Sequence, residues 1–222
     1  MPSFFITGTD TGVGKTWFTC WLVRVWRAQG HNAIGLKPIS TGDRQDAMLL
    51  REASGNILTL DEINPLYFRE PATPLVAARE ENREIDFAEQ NRAIHALCSR
   101  FSHCAVEGVG GWRVPLAPDY EVRDWARDLA LPVVVVARAG LGTLNHTLLT
   151  VESIQRAGLT CEGIVLNPGP KENGNSASPN LDLVQRTNRA LLESILLLPV
   201  FNLDGLAQAA GKIPVWLGGK EI

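Results

Sequence analysis

No stretch of this chain is apolar for long enough to span a bilayer. The longest run, Leu129 to Ala137, is interrupted by Pro132 and falls far short of the roughly 20 residues a membrane helix needs. Basic runs are also missing. With Lys+Arg 21 against Asp+Glu 24 the net charge is −3, which offers neither nucleic acid nor an anionic membrane an electrostatic footing. The N-terminus lacks a basic segment, and Phe4-Phe5-Ile6 is too short for the apolar core of a secretion signal. Cysteine is scarce: Cys20, Cys98, Cys104 and Cys161 are scattered through apolar segments with no C-x-x-C spacing. That pattern reads as buried thiols in a reducing compartment instead of disulfides or a metal site. The expected setting is therefore cytoplasmic, with no nucleic-acid or membrane partner. No Asn-Lys-x-Asp stretch occurs, so nothing signals a guanine nucleotide.

What is present is concentrated at the start. A short apolar strand, Ser3–Thr7, runs into the loop Gly8-Thr9-Asp10-Thr11-Gly12-Val13-Gly14-Lys15-Thr16, which opens an apolar helix. A strand, a glycine-rich loop and a helix beginning at Gly-Lys-Thr make a P-loop, whose free backbone N–H groups and helix N-terminus cradle phosphates. In such a loop Lys15 reaches the β- and γ-phosphates and the Thr16 hydroxyl a magnesium ion. The spacing is irregular, because Thr9 stands where the common pattern has its first glycine. The loop predicts a bound nucleoside triphosphate and leaves the chemistry open.

Strand and helix signals alternate along most of the remaining chain. Lys15–Gln29 is expected to be helical with Gly30 closing it, and Ala33–Leu36 to be a strand ending at Lys37-Pro38. Asp46–Ala53 is expected to be a helix, and Thr73-Pro74 to be an N-cap followed by proline at N1. Asp86-x-x-Glu89 is a capping box opening a helix to about Phe101. Strands follow at Cys104–Glu107, Pro132–Ala137 and Cys161–Leu166, with helices at Glu121–Leu129, Asn145–Ala157 and from about Pro179 to Ser194. Asn173–Ser178 is expected to be a mobile loop, and residues 204–222 carry no clear element signal. The strands are apolar throughout, which suits a mostly parallel sheet covered by helices on both faces, a three-layer α/β fold of the P-loop NTPase type in a single domain, 1–222. Right-handed crossovers would then bring every strand C-terminus to one edge of that sheet.

Several reactive groups fall on that edge. Lys37 closes a strand, and with Pro38 and the hydroxyl-rich Ser40-Thr41-Gly42 behind it reads as a second cation aimed at phosphate or carboxylate. Asp46 reads either as a helix N-cap or as a metal ligand. Glu107 ends the apolar strand Cys104-Ala105-Val106, where a carboxylate is costly unless paired or metal-bound. A magnesium ion on Thr16 calls for one or two carboxylates besides phosphate oxygens, and Asp46 and Glu107 are the candidates. The glycines after Glu107, from Gly108 to Gly111, let backbone approach a ligand closely. Asn167 ends a late strand ahead of Pro168, either starting a turn or offering its amide to a base. Gly140 to His146 leads into a helix that could bind an anion through free N–H groups, the plain alternative being a Thr143 N-cap.

These pieces, in this order, resemble the dethiobiotin synthetase family. The resemblance rests on Gly8 to Thr16, Lys37-Pro38-Ile39-Ser40-Thr41-Gly42, Asp46-Ala47, Val106-Glu107-Gly108-Val109-Gly110-Gly111-Trp112 and Leu141-Gly142-Thr143-Leu144-Asn145-His146. Asn64 to Phe68 and Glu70 to Pro74 also match, and the likeness covers roughly residues 3 to 167. It implies an ATP- and Mg2+-dependent cyclo-ligase of biotin biosynthesis that closes a cyclic urea on 7,8-diaminononanoate with CO2. The intermediates it implies are a carbamate and a carbamic-phosphoric anhydride. By this resemblance Lys15 and Lys37 stabilise the carbamate and the transferring phosphoryl group, while Thr16, Asp46 and Glu107 hold magnesium. Thr11 and Thr41 contact the substrate. The ATP site comprises Gly12, Val13, Gly14, Lys15, Thr16, Glu107, Gly108 and Gly110, with Asn167 and Pro199 near the adenine. Gly142, Thr143 and Asn145 receive the substrate carboxylate from the neighbouring subunit of a homodimer. Two departures stand out: Gly12 where the family often carries a carboxylate, and Pro168 where it often has aspartate. The competing reading is a switch ATPase of the ParA/MinD kind, or a regulatory nucleotide-binding module. The switch ATPases usually carry a lysine where this chain has Asp10.

Overall fold

The computed structural model describes residues 2–169, 181–203 and Leu217. The expected loop at Asn173–Ser178 and, Leu217 apart, residues 204–222 lie outside them. In chain order the elements are β1 (Ser3–Gly8), α1 (Lys15–Ala28), β2 (Ala33–Leu36), β3 (Ile39–Thr41), α2 (Gln45–Ala53), α3 (Leu60–Ile63), β4 (Leu66–Phe68), α4 (Pro74–Glu80) and α5 (Phe87–Cys98). There follow β5 (His103–Glu107), β6 (Pro115–Ala117), β7 (Tyr120–Glu121), α6 (Val122–Leu129), β8 (Val133–Arg138), α7 (Thr143–Arg156), β9 (Cys161–Asn167), α8 (Leu181–Leu196) and β10 (Val200–Asn202).

Six strands form one sheet in the order β10-β9-β8-β1-β5-β2, and every pairing in it is parallel. The chain steps from β1 outward to β2, then returns through β5, β8, β9 and β10 in the other direction. Right-handed crossovers therefore send α1 to one face and α6, α7 and α8 to the other. The first strand records both faces. Successive strand residues point to opposite sides, so Phe4 stacks on Trp26 of α1 with ring centroids 6.2 Å apart. Phe5 meets Trp125 of α6 edge-on at 5.4 Å. Both tryptophans are fully buried, as is the Val133–Ala137 run of β8. This is the doubly covered parallel sheet expected of the sequence, and the core lies on both sides of β1.

The expected elements are present with shifted ends. Helix α7 begins at Thr143, with Gly142 as its N-cap in a left-handed conformation, so Thr143 is the first helical residue and not the cap. Asp46 is likewise inside the first turn of α2, whose N-cap is Arg44. Asp86 does cap α5, accepting from the Glu89 N–H at 2.9 Å. The cysteine expectation fails for two of the four. Cys98 closes α5, Cys104 lies in β5, and the two are joined as a disulfide with Cα atoms 5.5 Å apart. The short reversal from α5 into β5 folds the chain back on itself, and that proximity is not visible in the spacing of the two residues. Cys20 and Cys161 are buried free thiols. Among the described residues no helix is long and apolar enough to cross a membrane.

Candidate active site

The C-terminal ends of β1, β2, β5, β8 and β9 meet at one edge of the sheet, and the P-loop rises from the middle of it. Gly12 and Gly14 both take the left-handed conformation, with φ of 70° and 97°, and Gly14 is the N-cap of α1. At Gly14 a Cβ would lie 2.1 Å from Asn167 Nδ2, so the loop is closed over the end of β9 in a way that excludes a side chain. Asn167 itself donates from Nδ2 to the Val13 carbonyl at 2.9 Å and accepts from the Gly169 N–H at 3.1 Å. Its amide therefore braces the loop, and each end keeps capacity for one further bond.

Lys15 folds back along the loop and donates to the Asp10 carbonyl at 3.2 Å. It is only 6% exposed. Burial, and next the charge of Lys37, bring its pKa down from the ordinary 10.5 to about 8. A lysine so placed is short of anions, which a triphosphate supplies.

Beside it lies a charged cluster set by strand register. β2 and β5 pair Leu36 with Val106, so the next residues along, Lys37 and Glu107, come out adjacent. Lys37 Nζ is 2.7 Å from Glu107 Oε1 and 3.1 Å from the Gly108 carbonyl, and 3.1 Å from Asp46 Oδ2. The Thr16 hydroxyl donates to the same Glu107 Oε1 at 2.8 Å. Burial opposes the charge on Lys37, but Glu107 and Asp46 outweigh it and hold the pKa above the usual lysine value. Burial likewise works against the Asp46 carboxylate, and Lys37 overcomes it and keeps its pKa below the usual range. Glu107 is fully buried, and its Oε2 has no hydrogen-bond partner among the described residues.

These groups line a cleft of about 430 Å³. It brings together Thr11, Gly12, Gly14, Lys15, Thr16, Lys37, Thr41, Asp46, Glu107 and Gly110, ten of the residues singled out in the sequence. Gly108 contributes its carbonyl to Lys37, and Val13 its carbonyl to Asn167. Pro199 stands apart at the β9–β10 edge, its carbonyl accepting from Ile164 N–H at 2.9 Å. Gly142, Thr143 and Asn145 are at the head of α7, outside this cleft. Leu141 beside them is 97% exposed. A larger cleft, of about 650 Å³, opens on the far side of Thr11 against Trp112, Arg123, Arg127 and Leu149. Its arginines are engaged by Glu121, Asp124 and Glu152, and the cluster around Lys37 faces the smaller cleft.

Two residues that matter here had no role assigned from sequence. Asn64 is buried; it donates to the Lys37 carbonyl at 2.7 Å and accepts from Ser40 Oγ at 2.9 Å and Arg44 Nε at 3.0 Å. It thereby ties together the chain from Lys37 to Arg44. Its sequence signal is the Asn64-Pro65 pair, which reads only as a turn. Arg138, closing the buried β8, is the second, and its signal was a lone cation at the end of an apolar run.

The AAA domain family matches residues 2–202. The ATP-dependent dethiobiotin synthetase BioD of Akkermansia muciniphila is 44% identical over 200 residues, 90% of each chain. That of Anaeromyxobacter dehalogenans strain 2CP-C is 47% identical over 204 residues, again 90% of each. Among solved structures, the MinD cell division protein of Aquifex aeolicus has a TM-score of 0.55 at 16% identity, covering 90% of this chain and 80% of that one. The likeness to MinD is one of fold, which is what the switch-ATPase reading had in common with this chain. Identity at this level over nine-tenths of the sequence is a closer relation, and by it the chain belongs to the dethiobiotin synthetase family.

Proposed function

We propose that this chain, acting as a single domain in the cytoplasm where ATP is maintained, closes a cyclic urea on 7,8-diaminononanoate with CO2. The products are dethiobiotin, ADP and phosphate. The observation that carries this reading is the buried Lys37 held between Glu107 and Asp46, at 2.7 and 3.1 Å, beside the anion-poor seat of Lys15. A carbamate and a triphosphate are both anions, and bringing them into contact demands clustered positive charge.

In the first step one amine of the diamine attacks CO2 and loses a proton, leaving a carbamate. A carbamate oxygen then attacks the γ-phosphorus and ADP departs, which gives the carbamic-phosphoric anhydride. The second amine attacks the carbamate carbon, phosphate leaves, and the five-membered ring is closed. Lys15 spans the β- and γ-phosphates from the loop. Lys37 balances the carbamate and the moving phosphoryl group, and Thr11 and Thr41, which both line the cleft, orient the amines. No protein nucleophile enters.

Thr16, Asp46 and Glu107 suit a magnesium ion. All three offer hard oxygen donors, and the unpartnered buried Oε2 of Glu107 is an acceptor in want of a cation. When bound, the ion neutralises charge on the β- and γ-phosphate oxygens. Asp46 and Glu107, which hold Lys37 here, would share their charge with such an ion, leaving the Lys37 ammonium available to the carbamate. Asn167 and Pro199 would flank the adenine. A second copy of the chain would complete the site, its Gly142, Thr143 and Asn145 receiving the substrate carboxylate. The exposed Leu141 and Leu149 near that helix head support such a contact.

The test is product formation by purified protein. ADP release should require diaminononanoate, bicarbonate and Mg2+ together and should match dethiobiotin formed. Steady ATP turnover without the diamine, or stimulation by DNA or lipid, would overturn the reading.

A further inference from the structure

Arg138 is the one member of β8 that is not buried; the five residues before it, Val133 to Ala137, are all inside the sheet. An exposed arginine at a strand end is ordinarily solvated or paired with a carboxylate. Among the described residues no acidic group pairs with this one. Its guanidinium lies instead over the outer arm of the P-loop, with Nη2 3.5 Å from the Thr11 carbonyl. The same nitrogen is 3.7 Å from where a Cβ at Gly12 would stand. That carbonyl fills at most one of its five donors. Gly12, having no side chain, leaves the space between the guanidinium and the mouth of the loop clear.

The arm it overhangs is the γ-phosphate end of the loop. Lys15, which in a P-loop spans the β- and γ-phosphates, lies against this arm from the inside through the Asp10 carbonyl. Arg138 reaches its next residue from the outside. The neighbouring strand end is already committed: Arg138 pairs in register with Asn167, and Asn167 clamps Val13, nearer the helix. We infer that Arg138 is a third cation of the phosphoryl-transfer site, whose guanidinium engages the γ-phosphoryl oxygens of bound ATP. This rests on the function proposed above. A planar guanidinium with free donors suits phosphoryl oxygens, and as charge spreads over them in transfer the contact strengthens.

The experiment compares R138A, R138K and the unaltered protein by calorimetric titration with Mg-ADP and with the Mg complex of a β,γ-imido ATP analogue, alongside kcat for dethiobiotin formation. R138A should lose about tenfold in affinity for the analogue while ADP stays within about twofold, a difference of the size one charged contact gives. Its kcat should fall on the order of 10²-fold, with R138K recovering part of both. Equal weakening of analogue and ADP would make Arg138 a brace for the loop and overturn the inference. So would unchanged affinity for both, or a rise confined to KM for the diamine. If the unaltered protein formed no dethiobiotin, the parent reading would fail, whereas the two titrations would still decide whether Arg138 senses the γ-phosphate.

Discussion

Replacing Lys15 by Met should stabilise the ligand-free protein while removing its grip on ATP. Lys15 is 94% inside the fold by exposure, being 6% exposed, and burial and Lys37 depress its pKa from 10.5 to about 8. That depression corresponds to roughly 3 kcal/mol of unfavourable energy for holding the charge at neutral pH. The lost hydrogen bond to Asp10 offsets about 1 kcal/mol of the relief, leaving a net gain of about 2 kcal/mol. For a domain of this size each kcal/mol moves Tm by about 2–4 °C, so the variant should melt roughly 4–8 °C higher at neutral pH. The pH dependence is the sharper check. Below pH about 8 both folded and unfolded chains carry the proton, and the penalty is fully present. Between about 8 and 10.5 the folded protein sheds the proton and the unfolded chain keeps it, so the unaltered protein gains stability as pH rises. The variant's advantage should therefore shrink by about 2 kcal/mol by about pH 9.5. Scanning calorimetry of both proteins at the two pH values, with and without Mg-ATP, reads all of this. A variant that melts at or below the unaltered protein at pH 7, or an advantage that ignores pH, would refute the electrostatic account of Lys15.

Other substitutions test other parts of the site and the fold. Lys37→Met should leave ADP binding within about twofold but cut turnover by at least about 10²; if binding and turnover fell in parallel, Lys37 would belong to the nucleotide site. It should also cost about 3–5 kcal/mol in urea unfolding, because Glu107 remains as a buried carboxylate, and the double change K37M/E107Q should recover most of that stability without activity. Gly14→Ala places a methyl group 2.1 Å from Asn167 Nδ2 at a φ of +97°, so calorimetry should show loss of nucleotide binding that Asn167→Ala restores only in part. Trp26→Phe removes the indole N–H bond to the Leu217 carbonyl, 2.9 Å long; it should lower stability by about 1–2 kcal/mol and leave dethiobiotin formation unchanged, as Trp26 lies at the far end of α1 from the P-loop.

How much of this was legible depends on where each residue takes its meaning. Phe4 to Thr16 could be read locally, because an apolar strand, a glycine loop and a helix start are all short-range patterns. Glu107 could be read because a carboxylate ending an apolar strand is costly in any fold. Asn64 could not: its value comes from holding Lys37, Ser40 and Arg44, all some 20 residues away or more. The β3–β4 pair escaped for a related reason. Three-residue strands show no periodicity, and Ile39–Thr41 is a strand only because Leu66–Phe68 lies beside it. Cys98 and Cys104 were misread because spacing alone does not tell a helix end from a strand that doubles back.

The pairing of Lys37 with Glu107 shows why a site can be half visible. Each residue separately was a candidate from its strand-end position, but nothing in the sequence said that they touch. The contact follows from register: Ile6 opposite Glu107 and Leu36 opposite Val106 make the ends of β1, β5 and β2 finish in step. A slip of one residue in β2 would turn its alternating side chains to the opposite faces and carry Lys37 away from Glu107. That would leave a fully buried carboxylate without its ammonium partner, a cost of several kcal/mol. The charged pair thus penalises the wrong register as well as preparing the chemistry. The residues least consistent with an apolar sheet are therefore also those that hold its functional edge in alignment.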